Sequence, residues 1–176
     1  IRVESEYGRG SRFTASVYLK RTDAAIDDKA LRGRSVLIAD DDEITCINTC
    51  KRLEALGIST EWVTNGREAL EKAIARHAAG QDYFAAILDL KMPGLDGIET
   101  TRKIRENLGN TLPVILISAY DFSEYLDKAT TAGVNGFITK PLFLSRLISN
   151  LKRFLEVPEP APQEQHTENT PLYTDR

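Results

Sequence analysis

Val36-Leu37-Ile38-Ala39-Asp40-Asp41-Asp42 is a short apolar run that ends in three carboxylates, and three later segments repeat its design. Phe84-Ala85-Ala86-Ile87-Leu88 closes on Asp89, Val114-Ile115-Leu116-Ile117 on Ser118, and Phe137-Ile138-Thr139 on Lys140. Apolar runs of this length, separated by helical stretches, predict parallel strands buried on both faces. In an open α/β sheet, ligands bind in the crevice beyond the carboxyl ends of the strands. Asp40, Asp41, Asp89, Ser118 and Lys140 are therefore expected to converge. Two carboxylates about 4 Å apart repel by roughly 4 kcal/mol at an effective dielectric near 20, so the cluster calls for a cation. Mg²⁺ takes oxygen ligands and keeps several waters, which suits a shallow crevice. Lys140 is suited to hold an oxygen of an added phosphoryl group, and Ser118 to donate to another.

Working outward, the chain from Ser35 reads as strand then helix, five times over. The first helix carries Ile44, Ile47, Leu53 and Leu56 and stops at Gly57, a usual terminator. Strand two is Ser59 to Val63, and the second helix runs from Arg67 to Ala79. After Asp89 comes the loop Lys91-Met92-Pro93-Gly94-Leu95-Asp96-Gly97, then a helix to Leu108. Asp121 with Glu124 reads as a capping box opening the fourth helix, and the last helix spans Ser145 to Phe154. This alternation predicts an α/β fold with a doubly wound parallel sheet.

Residues 1–20 form a different unit. Phe13, Ala15, Val17 and Leu19 alternate with polar partners, Ile1 and Val3 start a second strand, and Tyr7-Gly8-Arg9-Gly10 supplies the turn. A lone hairpin is marginal in water, so its apolar face is expected to pack on the α/β domain or on a second copy, a homodimer, or else the hairpin frays. Residues 21–33 read as a charged linker and 34–155 as the α/β domain. Residues 156–176 hold four of the seven prolines, with glutamates and glutamines between them, and read as a tail or linker.

Bulk properties narrow the function. With 176 residues and 41% hydrophobic content the chain can bury one good core. A net charge of -3 without a basic cluster argues against a nucleic-acid surface, and no apolar run is long enough for a membrane helix. The chain starts at Ile1, which suggests a portion of a longer protein; this portion is expected in the cytoplasm, with membrane anchoring of the parent left open. Cys46 and Cys50 fit buried small hydrophobes better than a metal or redox pair, and His77 and His166 fit solvated surface.

The strings at 36–42, Leu88 to Gly97, Ile117-Ser118-Ala119 and Lys140-Pro141 resemble the receiver domain of two-component response regulators. The resemblance covers about 34–155 and implies a flavodoxin-like (βα)5 sheet of strand order 2-1-3-4-5. It implies that Asp89 is the phosphorylated aspartate. Mg²⁺ would be held by Asp41, Asp89 and the Lys91 backbone carbonyl, with Asp40 acting through water. It further implies that Ser118 and Phe137 form the conformational switch and that Lys140-Pro141 is cis. Lys91 and Tyr120 would flank the water that hydrolyses the phosphoryl group. The implied partners are a phosphohistidine donor domain and a downstream histidine phosphotransfer domain.

Val3-Glu4-Ser5-Glu6 with Gly8-Arg9-Gly10-Ser11-Arg12-Phe13 looks like the final hairpin of the ATP-binding domain of sensor histidine kinases. Ahead of a receiver, it implies a hybrid histidine kinase. That family's glycine-rich nucleotide boxes and phosphoacceptor histidine are not in this sequence, so no kinase activity is expected of the chain alone.

Three rival readings stand beside this one. A haloacid-dehalogenase-like phosphatase would use Asp40 and Asp42 as its Asp-x-Asp pair and leave Asp89 without a role. A flavodoxin-like cofactor binder would need a phosphate loop where Asp40-Asp41-Asp42-Glu43 would repel one. A degenerate receiver would serve only as a docking surface.

Overall fold

A computed structural model describes residues 1–8, 10–17, 29–119 and 123–155. Its centre is a five-stranded parallel sheet of β3 (Ser35–Ala39), β4 (Ser59–Val63), β5 (Ala85–Asp89), β6 (Val114–Ser118) and β7 (Gly136–Thr139), in the order β4-β3-β5-β6-β7. In terms of the five α/β repeats this is the expected 2-1-3-4-5. After β3 the chain moves outward to β4, then returns to the other side of β3 to form β5. The switch point of this doubly wound sheet therefore lies between β3 and β5, where Asp40 and Asp89 stand.

Alternation within the strands divides the core into two layers. Val36 and Ile38 face α1 (Glu43–Glu54) and α5 (Leu144–Arg153), joining Cys46, Cys50, Leu53, Leu147 and Leu151 in one apolar cluster. Leu37 and Ala39 face α2 (Gly66–Ala78) and α3 (Gly97–Leu108), joining Ala69, Ala73, Ile98 and Ile104 in the other. β5 and β6 are buried at every residue, which is why they read as unbroken apolar runs. Asp42, Asn65 and Asp96 cap the first three helices, each accepting a backbone N–H with its side chain.

Two elements depart from the sequence reading. The segment taken as linker ends in a short 3₁₀ turn, Lys29–Leu31, whose Leu31 is fully buried in the α1/α5 layer. A single apolar residue among charges carries no periodicity, so nothing local announces it. The fourth helix, α4 (Leu126–Thr131), begins beyond Glu124, with Tyr125 at its N-cap position and no side-chain cap. The Asp121–Glu124 pair is therefore not its capping box, and Asp121 itself lies outside the described residues. Leu142 and Leu144 pack on the core while Phe143 between them is exposed. No helix among the described residues is long and apolar enough to cross a membrane.

A hairpin forms, with β1 (Arg2–Glu6) antiparallel to β2 (Gly10–Thr14) and Val3 opposite Phe13, but the second strand ends at Thr14, short of the expected Ala15 and Val17, and Leu19 lies outside the described residues. Every residue of both strands is exposed, Phe13 at 74%. The apolar face has no cover among the described residues.

Candidate functional site

Asp40 lies just past β3, Asp89 ends β5, Ser118 ends β6 and Lys140 follows β7, so four strand ends deliver four chemical groups to one crevice. Lys140 joins them. Its Nζ donates to Asp40 Oδ2 at 2.8 Å and lies 2.7 Å from Asp89 Oδ1. The other oxygens are also occupied: Asp42 N–H donates to Asp40 Oδ1 and Lys91 N–H to Asp89 Oδ2, both at 3.0 Å. Both carboxylates are almost fully buried. The backbone fixes the lysine as well, because Lys140 N–H donates to the Ser118 carbonyl at 2.7 Å. The Lys140-Pro141 bond is cis.

Burial pushes the Asp89 carboxyl pKa above the ordinary carboxylate value, and the Lys140 contact only partly offsets it. For Lys140 burial alone would lower the pKa. The bonds to Asp40 and Asp89 outweigh that and raise it. The lysine therefore stays charged and acts as the built-in counter-ion of a dehydrated carboxylate pair.

Asp41, next to Asp40 in the chain, is exposed. Among the described residues no three His, Cys, Asp or Glu side chains are grouped as a ready cage for a metal ion. The donor set fits a cation that keeps most of its waters and takes few protein oxygens, which is the habit of Mg²⁺. Asp42 is turned away to cap α1, accepting from Ile44 N–H and the Thr45 hydroxyl. The Asp-x-Asp pair of a phosphatase is thus not aimed at one site. Ser118 is buried beside the crevice, and Phe137 is half-buried against the α2/α3 layer. Tyr120 lies outside the described residues.

Cys46 and Cys50 are free and buried. Cys46 donates its S–H to the Asp40 carbonyl at 3.4 Å, and burial pushes its pKa up to about 12. It is packing, not a nucleophile. His77 pairs with Asp82 on the surface at 2.8 Å.

Two residues that position the site escape sequence reasoning. At Gly97 a Cβ would collide with the Asp89 carbonyl and the Leu116 side chain, so the start of α3 can press against the end of β5 only without a side chain. Arg105 has no carboxylate partner among the described residues. It donates to the carbonyls of Gly133 and Leu112 and to Asn135 Oδ1, tying the end of α3 to the end of α4. Its place within the buried face formed by Thr101, Ile104 and Leu108 was the available signal, since a charge there needs carbonyl partners.

Residues 36–152 match the family described as response regulator receiver domain. The sensor protein EvgS of Escherichia coli (strain K12) is 32% identical over 94% of this chain, and the aerobic respiration control sensor protein ArcB of the same strain 30% identical over 88%. The chain spans only 14% and 20% of those two proteins. The crystal structure of the receiver domain of the histidine kinase CKI1 from Arabidopsis thaliana, complexed with Mg²⁺ and BeF₃⁻, is 29% identical. It superposes with a TM-score of 0.65 over 73% of this chain and 94% of that one. With the family match covering most of its length and the sheet order agreeing, this chain belongs to the response regulator receiver domain family.

Proposed function

We propose that the chain is a phosphoacceptor, taking a phosphoryl group from a phosphohistidine onto Asp89 within a hybrid histidine kinase. The observation that carries this reading is the triangle of Lys140 Nζ with Asp40 and Asp89 at 2.8 and 2.7 Å. An Asp89 oxygen forms the new bond to phosphorus, the bond from phosphorus to the donor imidazole nitrogen breaks, and its electron pair stays on that nitrogen. Lys140 is already beside Asp89 Oδ1 and needs only to pass from the carboxylate to a phosphoryl oxygen. Lys91 N–H holds Asp89 Oδ2 and orients the nucleophile. Phosphoryl transfer depends mainly on such positioning and charge neutralisation. Asp41, Asp89 and the Lys91 carbonyl would hold Mg²⁺, with Asp40 through water, and the ion would supply further neutralisation of the phosphoryl oxygens. Its presence in the similar CKI1 receiver supports this assignment.

Phosphorylation then biases a two-state equilibrium. Ser118 moves toward the phosphoryl group, Phe137 turns inward behind it, and the face formed by α4, β7 and α5 changes. A downstream histidine phosphotransfer domain is the natural next acceptor. The hairpin at 1–20 is read as the end of a kinase ATP-binding domain, and the alignment with EvgS, which spans nearly the whole chain, supports that reading.

Incubation with Mg²⁺ and acetyl phosphate tests the assignment by intact mass. One acid-stable, base-labile phosphoryl adduct is expected, and none in Asp89→Asn. Undiminished labelling of Asp89→Asn removes the assignment. A wild type that never labels favours the degenerate, docking-only receiver.

A further inference from the structure

At the end of the sheet opposite Asp89, where β3, β5 and β6 begin, a cleft of about 600 Å³ opens between the strand starts and the last turn of α5. Its walls are unlike those of the crevice. Phe84 and Phe154, both half-buried, and Pro113 give it an apolar side. Arg34 lies over the Phe84 ring at 5.1 Å and meets no carboxylate among the described residues. The second guanidinium, Arg76, is committed to Glu61 and to the Gln81 carbonyl. The acid on the rim, Asp82, is taken by His77. The Ser35 hydroxyl, covered from solvent, has no hydrogen-bond partner among the described residues. The cleft thus offers an aromatic floor, one unmatched cation and one unmet hydroxyl.

The chain supplies a segment of matching chemistry beside it. Phe154 lines the cleft, and the sequence continues past Leu155 as Glu156-Val157-Pro158-Glu159-Pro160-Ala161-Pro162. Alternate prolines favour an extended polyproline conformation rising about 3.1 Å per residue. Aromatic-lined grooves take such segments because little conformational entropy remains to be lost. Glu159, four residues beyond Leu155, has a reach of roughly 12 Å, and Arg34 and Phe154 line the same cleft. Residues 156–176 carry five acidic residues and one arginine, so their net charge complements the Arg34 guanidinium, which meets no carboxylate among the described residues.

We propose that residues 156–162 dock in this cleft, with Glu159 on Arg34 and the prolines across Phe84 and Phe154. The segment is then a strap held on the receiver at the end away from Asp89, and it fixes the direction in which the chain leaves the domain. This inference stands apart from the phosphoacceptor reading.

Amide NMR spectra of the full chain test it. Glu159→Lys and Arg34→Glu are each expected to shift the amides of Ser35, Phe84 and Thr111 in the same sense, and to raise the ps–ns mobility of residues 156–162. Combining the two substitutions restores the charge pair in reverse and should recover both signals. Replacing Pro158, Pro160 and Pro162 together by glycine should release the segment while leaving Arg34 intact. High salt should weaken the exposed contact. Unchanged cleft amides in Glu159→Lys, or no recovery in the double variant, overturns the proposal. Cleft shifts that vary with protein concentration also overturn it, assigning the cleft to a second copy instead.

Discussion

Replacing Lys140 with Met tests the electrostatic core of the site. The substitution keeps most of the stem and removes the charge that faces Asp40 and Asp89 at 2.8 and 2.7 Å. At an effective dielectric near 20, each contact corresponds to about 6 kcal/mol of Coulomb attraction. Desolvation of the three groups offsets much of that. Breaking a buried pair by removing one partner typically costs 3–5 kcal/mol. The Lys140 side chain is 30% exposed, so water screens part of the loss and about 3 kcal/mol is expected near neutral pH.

The pH dependence follows from Asp89. Its folded pKa is raised by burial, so its proton binds more tightly in the folded state. That contribution to stability is complete below the unfolded value and is lost as pH rises through the folded one. Without Lys140 the carboxyl rises further, and the variant's penalty should shrink on acidification as Asp89 takes up a proton. In the wild type Lys140 keeps its charge across the neutral range, and its contribution fades only as pH rises through its own raised folded pKa. Urea unfolding followed by circular dichroism near pH 7 and pH 4 measures the penalty and its change on acidification. Adding Asp89→Asn to the variant should recover part of the loss at pH 7. A penalty below about 1 kcal/mol at neutral pH, or one that does not change with pH, would refute the counter-ion argument.

Four further outcomes are expected. Leu31→Ala should cost about 2–5 kcal/mol in urea unfolding, as large-to-small changes in closed cores do, whereas deletion of residues 1–28 should change receiver stability little because the hairpin packs on nothing described. Gly97→Ala should both destabilise the fold and slow acetyl phosphate labelling, since the added methyl displaces the Asp89 backbone; normal labelling with lost stability would separate the two roles. If Tyr120 covers the approach of water to a phosphorylated Asp89, Tyr120→Ala should shorten the adduct's lifetime about tenfold, a barrier change of about 1.4 kcal/mol. Equal lifetimes by timed mass measurement would reject shielding.

The sequence by itself determined the sheet and the contents of the crevice. β5 and β6 are buried on both sides, so their pattern is an uninterrupted apolar run, and the residue that ends such a run must stand at the sheet edge. Asp89 and Ser118 were legible for that reason, and Lys140 because it directly follows the short strand β7. Asp42 shows the limit: four consecutive acids read alike, and only the start of α1 decides that Asp42 caps the helix while Asp40 turns inward to Lys140. Leu31, Gly97 and Arg105 were likewise decided by tertiary structure. Each owes its role to atoms far along the chain: the α1/α5 layer for Leu31, the Asp89 carbonyl for Gly97, the end of α4 for Arg105. Periodicity records which face of an element is apolar, because that depends on local repeat. It does not record which carbonyl needs a donor or where two backbones approach too closely for a side chain, because those are set only when the elements pack.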